Sequence, residues 1–254
     1  MIASLPMYDW PEIRAATDDW WKGIARHIGI DAALQRVENY ASLWLSSDLL
    51  FSQTCGYPFT HEFAGKLTYV ATPHYDADGC AGPNYRSIVF AREMAPLESF
   101  RGCTVAFNSP DSMSGMLALK LVFAPYAVKG RFFGRAFKTG GHLNSLRAVR
   151  EGAADVCAID AVCVGLARRH RPQDLDGLVE IARSPSVPGL PYVTVAGNAM
   201  KLRQAVSAAL DDPDLGDVRD QLLLSGLSVF DPQDYIRIVD LEIAMERAGG
   251  LELK

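Results

Sequence analysis

The sequence predicts an α/β protein built as two lobes, and three observations carry that expectation. Short apolar runs alternate with segments of helical spacing through short connections. The alternation restarts near Met94 as a second complete unit, and the segments after Tyr192 read as helices with no third sheet to cover. A chain of 254 residues is long enough for one large domain or for two lobes.

In order, residues 2 to 6 read as a strand that ends at Pro6-Met7-Tyr8-Asp9, and Trp10 to His27 has helical spacing with Pro11 near its start. Strands follow at Leu49 to Gln53, stopped by Thr54-Cys-Gly-Tyr-Pro58, at Leu67 to Thr72 and at Ser87 to Ala91, with a loop from Pro73 to Tyr85. After a turn at Pro96 to Phe100, the second unit runs strand Thr104 to Phe107, helix Ser112 to Phe123, strand Arg135 to Lys138 and helix His142 to Glu151. It continues with strand Asp155 to Ile159, helix Ala161 to Arg168 and strand Leu178 to Ala182. Such alternation predicts a largely parallel second sheet covered on both faces. Beyond the bend Ser184 to Pro191 come a strand at Tyr192 to Val195 and helices near Lys201 to Leu210, Asp214 to Leu224 and Pro232 to Arg247. Returning those helices to the first lobe gives residues 1–87 with 192–254 as lobe 1 and 88–191 as lobe 2. The chain then crosses twice, near Arg86 to Phe90 and near Val187 to Tyr192, which predicts a hinge.

Composition narrows the function. The net charge is −5 and the longest basic stretch is Arg168-Arg169-His170-Arg171, so no nucleic-acid partner is expected. No run reaches the 18 or more apolar residues of a membrane span, and Met1 opens no charged and apolar leader. Read from Met1 the protein is expected in the cytoplasm, or in the periplasm where a leader has been removed. The five cysteines lack metal-type spacing. Cys103, Cys157 and Cys163 sit in apolar runs as core, while Cys55 and Cys80 lie in Gly-rich loops where an oxidising compartment would let them pair. No metal and no cofactor is expected.

The most informative run is Val105-Ala-Phe-Asn-Ser-Pro-Asp-Ser-Met-Ser-Gly-Met-Leu-Ala-Leu119, where an apolar strand empties through small hydroxyl residues into a helix. The first N–H groups of a helix have no intrahelical partner and carry partial positive charge, so this junction either binds an anion or is capped by its own Asp or Ser. Thr139-Gly-Gly-His-Leu-Asn-Ser145 is a second junction of the same kind, with His142 in the first helical turn. Strand C-termini therefore gather Asn108, Ser109, Ser112, Ser114, Thr139, His142 and Asp160 at one edge. Alone, His142 reads as a capping or core residue more readily than as a ligand donor, and Asp160 reads equally as the cap of the helix that begins at Ala161. The first lobe is expected to present Tyr8, Gln53 and Tyr85.

Gln53-Thr-Cys-Gly-Tyr-Pro58, Gly79-Cys80 with Tyr85-Arg-Ser87, Asn108-Ser with Ser112-Met-Ser-Gly115, and the block Gly141 to Asp160 together resemble the phosphate/phosphonate-type substrate-binding proteins of ABC transporters. The resemblance spans roughly residues 1 to 245. It implies a two-lobed periplasmic-binding-protein-like fold, with two mixed sheets flanked by helices, that closes on a small polar or anionic ligand in a cleft. It also implies an ABC permease as partner and a monomer. By match, Ser112, the Met113 N–H, Ser114 and His142 hold the phosphate or phosphonate oxygens, and Tyr8, Gln53, Tyr85 and Asp160 hold the rest.

Two residues depart from that pattern. Met113 stands where a third hydroxyl is common, and Asp111 places a carboxylate beside the hydroxyl pair. Like charges about 4 Å apart at an effective dielectric near 20 repel by on the order of 4 kcal/mol, roughly three powers of ten in affinity, which favours a monoanion or a neutral polar ligand. The alternative expectation is an intracellular enzyme on the same fold using His142 and Asp160 as an acid/base pair. A third is a sensing module that passes closure to a partner.

Overall fold

The structure is a computed structural model that describes residues 1–37 and 39–254. Its longer strands are β1 (Ile2–Ser4), β2 (Leu49–Gln53), β3 (Thr68–Tyr75), β4 (Ser87–Ala91), β5 (Thr104–Phe107), β6 (Arg135–Lys138), β7 (Val156–Asp160), β8 (Val179–Arg183), β9 (Tyr192–Thr194) and β10 (Leu224–Ser228). Its helices are α1 (Arg14–Ile28), α2 (Tyr40–Trp44), α3 (Gly56–Thr60), α4 (Ala118–Phe123), α5 (His142–Arg150), α6 (Ala161–His170), α7 (Ala199–Asp211), α8 (Gly216–Gln221) and α9 (Ile236–Arg247). No helix among the described residues is long and apolar enough to cross a membrane.

The chain divides into two compact units. Unit 1 is Met1–Asp76 with Ala81–Pro83 and Pro188–Asp234, and unit 2 is Ala77–Cys80 with Asn84–Val187 and Tyr235–Lys254. The sheet of unit 1 has the order β1-β2-β9-β3-β10. Its β1 and β2 are parallel and its other pairings antiparallel. Every residue of β2 is buried, and Phe51 stacks on Trp21 of α1 at 5.6 Å and meets Tyr192 at 4.9 Å. These rings, with Trp20 and Ile24 from the apolar stripe of α1, form the core of the unit.

Unit 2 has the sheet order β8-β4-β7-β5-β6. The β7-β5 and β5-β6 pairings are parallel, while β8-β4 and β4-β7 are antiparallel, so the sheet is mixed rather than largely parallel. The central strands still bury both faces, which is why their apolar runs resemble those of a parallel sheet. The register places the site: Val105 lies opposite Val156 and Phe107 opposite Lys138, so β5, β6 and β7 end along one edge. Asn108, Thr139 and Asp160 stand there.

Two expectations fail at the C-terminal end for local reasons. The stretch expected as a helix from Asp214 to Leu224 ends at Gln221, because Leu223 takes φ 58° and turns the chain out of helical geometry. The chain then adds β10 to the sheet of unit 1, where Gly226 lies so close to His74 that a Cβ would stand 2.7 Å from its Nδ1. The last helix, α9, belongs to unit 2 and not with α7 and α8 in unit 1. It is held there by Leu251, which enters the core of Val89, Phe100, Val105, Phe123, Phe132 and Val156, and by Glu252 N–H donating to the Gly130 carbonyl at 2.9 Å. Tyr85, expected in the first lobe, also groups with unit 2.

Candidate functional site

The junction after β5 differs from an ordinary helix start. Ser112 is the N-cap, its Oγ accepting the Gly115 N–H at 3.0 Å, and the first turn, Met113–Leu117, is a π-helix before α4 begins. Leu117 N–H donates to the Ser112 carbonyl at 3.0 Å, one residue further back than in an α-helix. This wider turn has more leading N–H groups without an intrahelical carbonyl, and π turns recur at functional sites. Gly115 permits it: a Cβ there would stand 1.9 Å from Asn108 Oδ1 and 3.3 Å from the Asn108 backbone nitrogen. Gly115→Ala is expected to cost about 1–3 kcal/mol through that overlap. Asn108→Ala in the same chain should restore part of it. Urea unfolding of the two single variants and the double variant checks the coupling, and strictly additive effects would remove Asn108 as the cause.

The hydroxyls of this turn reach the next junction. Ser112 Oγ is 3.4 Å from Ser114 Oγ, and Ser114 Oγ is 2.8 Å from His142 Nε2. His142 is the first residue of α5, whose N-cap is Gly141 and receives no side-chain cap. The ring Nδ1 is shielded from solvent, and burial lowers the His142 pKa to about 4, opposed in part by the Ala158 carbonyl. At neutral pH the imidazole is therefore uncharged.

Thr139, Asp160 and Ser109 spend their polar atoms locally. Thr139 Oγ1 lies against the Phe107 carbonyl at 3.2 Å, the Gly141 carbonyl at 3.1 Å and Ser145 Oγ at 2.7 Å, which locks the second junction. Asp160 caps α6, its Oδ1 accepting the Val162 N–H at 2.7 Å and the Cys163 N–H at 3.4 Å. Ser109 donates to the exposed Asp111 carboxylate. Met113 is buried at 1% exposure, so its position offers a backbone N–H and no polar side chain. Asn108 Oδ1 has no hydrogen-bond donor and packs over Gly115. Tyr85, on the short strand Asn84–Tyr85, is buried in unit 2.

In unit 1, Tyr8 and Gln53 line one cavity of about 30 Å³ with Thr17, Trp20, Tyr75 and Tyr192. Gln53 Nε2 donates to Tyr75 OH at 3.0 Å and to the Leu190 carbonyl at 3.1 Å, and Tyr8 meets Tyr75 edge-on at 5.2 Å. Tyr75 is the residue the sequence reading missed, because β3 was expected to stop at Thr72. The strand instead runs on through Pro73 and His74 to Tyr75.

Many solved structures are similar in fold, three of them over nearly the whole chain as follows. PhnD1 from Prochlorococcus marinus, solved with methylphosphonate, is 12% identical with a TM-score of 0.75, covering 97% of this chain and 98% of that one. A binding protein component of an ABC phosphonate transporter (PA3383) from Pseudomonas aeruginosa is 17% identical, TM-score 0.76, covering 97% and 87%. XAC2383 from Xanthomonas citri, bound to ATP, is 18% identical, TM-score 0.71, covering 97% of each. No curated protein matches by sequence. The fold is that of the periplasmic binding proteins. Within it, this chain belongs to the family described as ABC transporter, phosphonate, periplasmic substrate-binding protein, which matches residues 2–235.

Proposed function

We propose that this chain captures a small phosphonate-type oxyanion at the edge of unit 2 and presents it to an ABC permease as a monomeric, non-enzymatic binder. The observation that carries the reading is the contiguous set Ser112, Ser114 and His142 at a π-opened helix start. It sits where β5 and β6 end, the ordinary ligand edge of an α/β sheet. Ser112, the Met113 and Ser114 N–H groups, Ser114 and His142 are the proposed holders of the anion. The acid/base alternative is weaker, because Asp160 Oδ1 is committed to two α6 amides. No cofactor enters this reading.

Titration calorimetry with methylphosphonate tests it. The folded chain is expected to bind, and Ser114→Ala to bind roughly 10- to 100-fold more weakly, the range for a lost hydrogen bond to a charged group. No binding by the folded, ligand-free chain, or an unchanged affinity in Ser114→Ala, would overturn the assignment. Turnover of the ligand would restore the enzyme alternative.

A further inference from the structure

Resting on that reading, we infer that Thr139 is a positioning residue of the site: its hydroxyl ties the start of α5 to the end of β5 and so fixes where His142 stands relative to Ser114. The sequence around it explains why such a tie is needed. Gly140 and Gly141 directly precede His142, and α5 begins without a side-chain cap. Gly140 takes φ 85°, and a Cβ on either glycine would meet nothing within 4 Å. Neither backbone stiffness nor packing at these two residues sets the direction in which α5 leaves the strand.

Thr139 bypasses that link. Its N–H donates to the Phe107 carbonyl at 2.8 Å and the Gly140 N–H to the Asn108 carbonyl at 3.0 Å, which carries the β5–β6 ladder past the ends of both strands. From this fixed point Oγ1 lies 3.2 Å from the Phe107 carbonyl, 3.1 Å from the Gly141 carbonyl and 2.7 Å from Ser145 Oγ. The bridge is the same whichever oxygen supplies the hydrogen between Thr139 and Ser145. Ser145 is fully buried, and its N–H donates to the Gly141 carbonyl at 3.0 Å. It stands three residues after His142 in one helix, so the two share a face and pinning Ser145 sets the rotation of His142 about the helix axis. Asn144 Nδ2 also donates to the Thr139 carbonyl at 3.1 Å, but at the exposed surface, where water competes. The chain that leaves β5 leads through Asn108 to Ser112 and Ser114. One hydroxyl therefore joins the strand that delivers Ser114 to the helix that carries His142, and holds the 2.8 Å spacing between those two side chains. Among the described residues no hydrogen bond runs from Thr139 to Ser112, Ser114 or His142, so its effect passes through β5 and Ser145.

The test is methylphosphonate calorimetry on variants of the whole chain, with urea unfolding to show that each is folded. Thr139→Val keeps the β-branched shape without the hydroxyl and is expected to bind about tenfold more weakly, whereas Thr139→Ser keeps the hydroxyl and should stay within roughly threefold of the native chain. In a chain that already carries His142→Ala, Thr139→Val should cost less than about twofold, since there is no ring left to misplace. Where His142→Ala binds too weakly to measure, the His142 ring C–H resonances of the ligand-free chain decide: they should shift or broaden in Thr139→Val and stay in place in Thr139→Ser. Native affinity in Thr139→Val, even with a lowered urea midpoint, would leave the hydroxyl a purely structural role and overturn the inference. So would a loss of equal size with and without His142, the sign of a direct ligand contact, or ring resonances that Thr139→Val does not move. Absence of methylphosphonate binding by the folded native chain instead removes the function on which the inference rests.

Discussion

Acidification from neutral pH is expected to cost the folded chain up to about 3 kcal/mol through the single side chain His142. Its folded pKa is lowered to about 4 from the ordinary 6.5 because the ring must give up hydration to be charged. Above pH 6.5 neither the folded nor the unfolded state holds the extra proton, and the full stability is present. As pH falls below 6.5 the unfolded chain binds a proton that the folded chain refuses, so stability drops until the folded ring also titrates near 4. The residue keeps some exposure, which makes this figure an upper bound. Urea midpoints at pH 7 and pH 4.5 should therefore diverge more for the native chain than for His142→Gln, which has nothing to protonate there. Equal losses in both would show that the ring is hydrated in the folded state.

Leu251→Ala is the second large effect, expected at about 2–5 kcal/mol. Leu251 is 1% exposed and belongs to a buried core cluster of unit 2 together with Phe123 and Phe132 from distant parts of the chain. Its neighbours leave little room to collapse: Phe123 contacts Phe132 at 5.1 Å and Phe133 at 4.9 Å, and Glu252 N–H is tied to Gly130. A fall in the thermal midpoint on the order of 10 °C is the expected readout. The loss should be mirrored by Phe123→Leu in a double-mutant cycle with non-zero coupling. A shift within about 1 °C would mean that the C-terminal residues sit on unit 2 without contributing to its core.

The central strands were readable because short apolar runs such as Val156 to Ile159, set between turn signals and helical segments, fit a strand buried on both faces. The mixed direction of the unit 2 sheet was not, since strand direction is decided by partners far along the chain. Leu222-Leu223-Leu224 continues a helical apolar pattern, and only the left-handed turn at Leu223 stops it. The amphipathic face of α9 says that it must pack, not against what, and its placement depends on Leu251 and on the Gly130 carbonyl. At the site, Ser112, Ser114 and His142 were legible as small polar residues at strand-to-helix junctions. Thr139, Ser109 and Asp160 carried the same signal, yet their oxygens are taken by local partners. A hydroxyl or carboxylate at a junction does not reveal which group it will bond, and no periodicity records that a Cβ at Gly115 would meet Asn108.

The interleaving of the two units along the chain also sets how the molecule must be assembled during synthesis. Unit 1 lacks a central strand until β9 emerges, and unit 2 lacks a core side chain until Leu251 does. Neither can reach its final packing as a nascent N-terminal piece on the ribosome. Folding is therefore committed late and dominated by contacts of long sequence separation, which slows it and lengthens the exposure of apolar strands such as β2 and β4 to other chains.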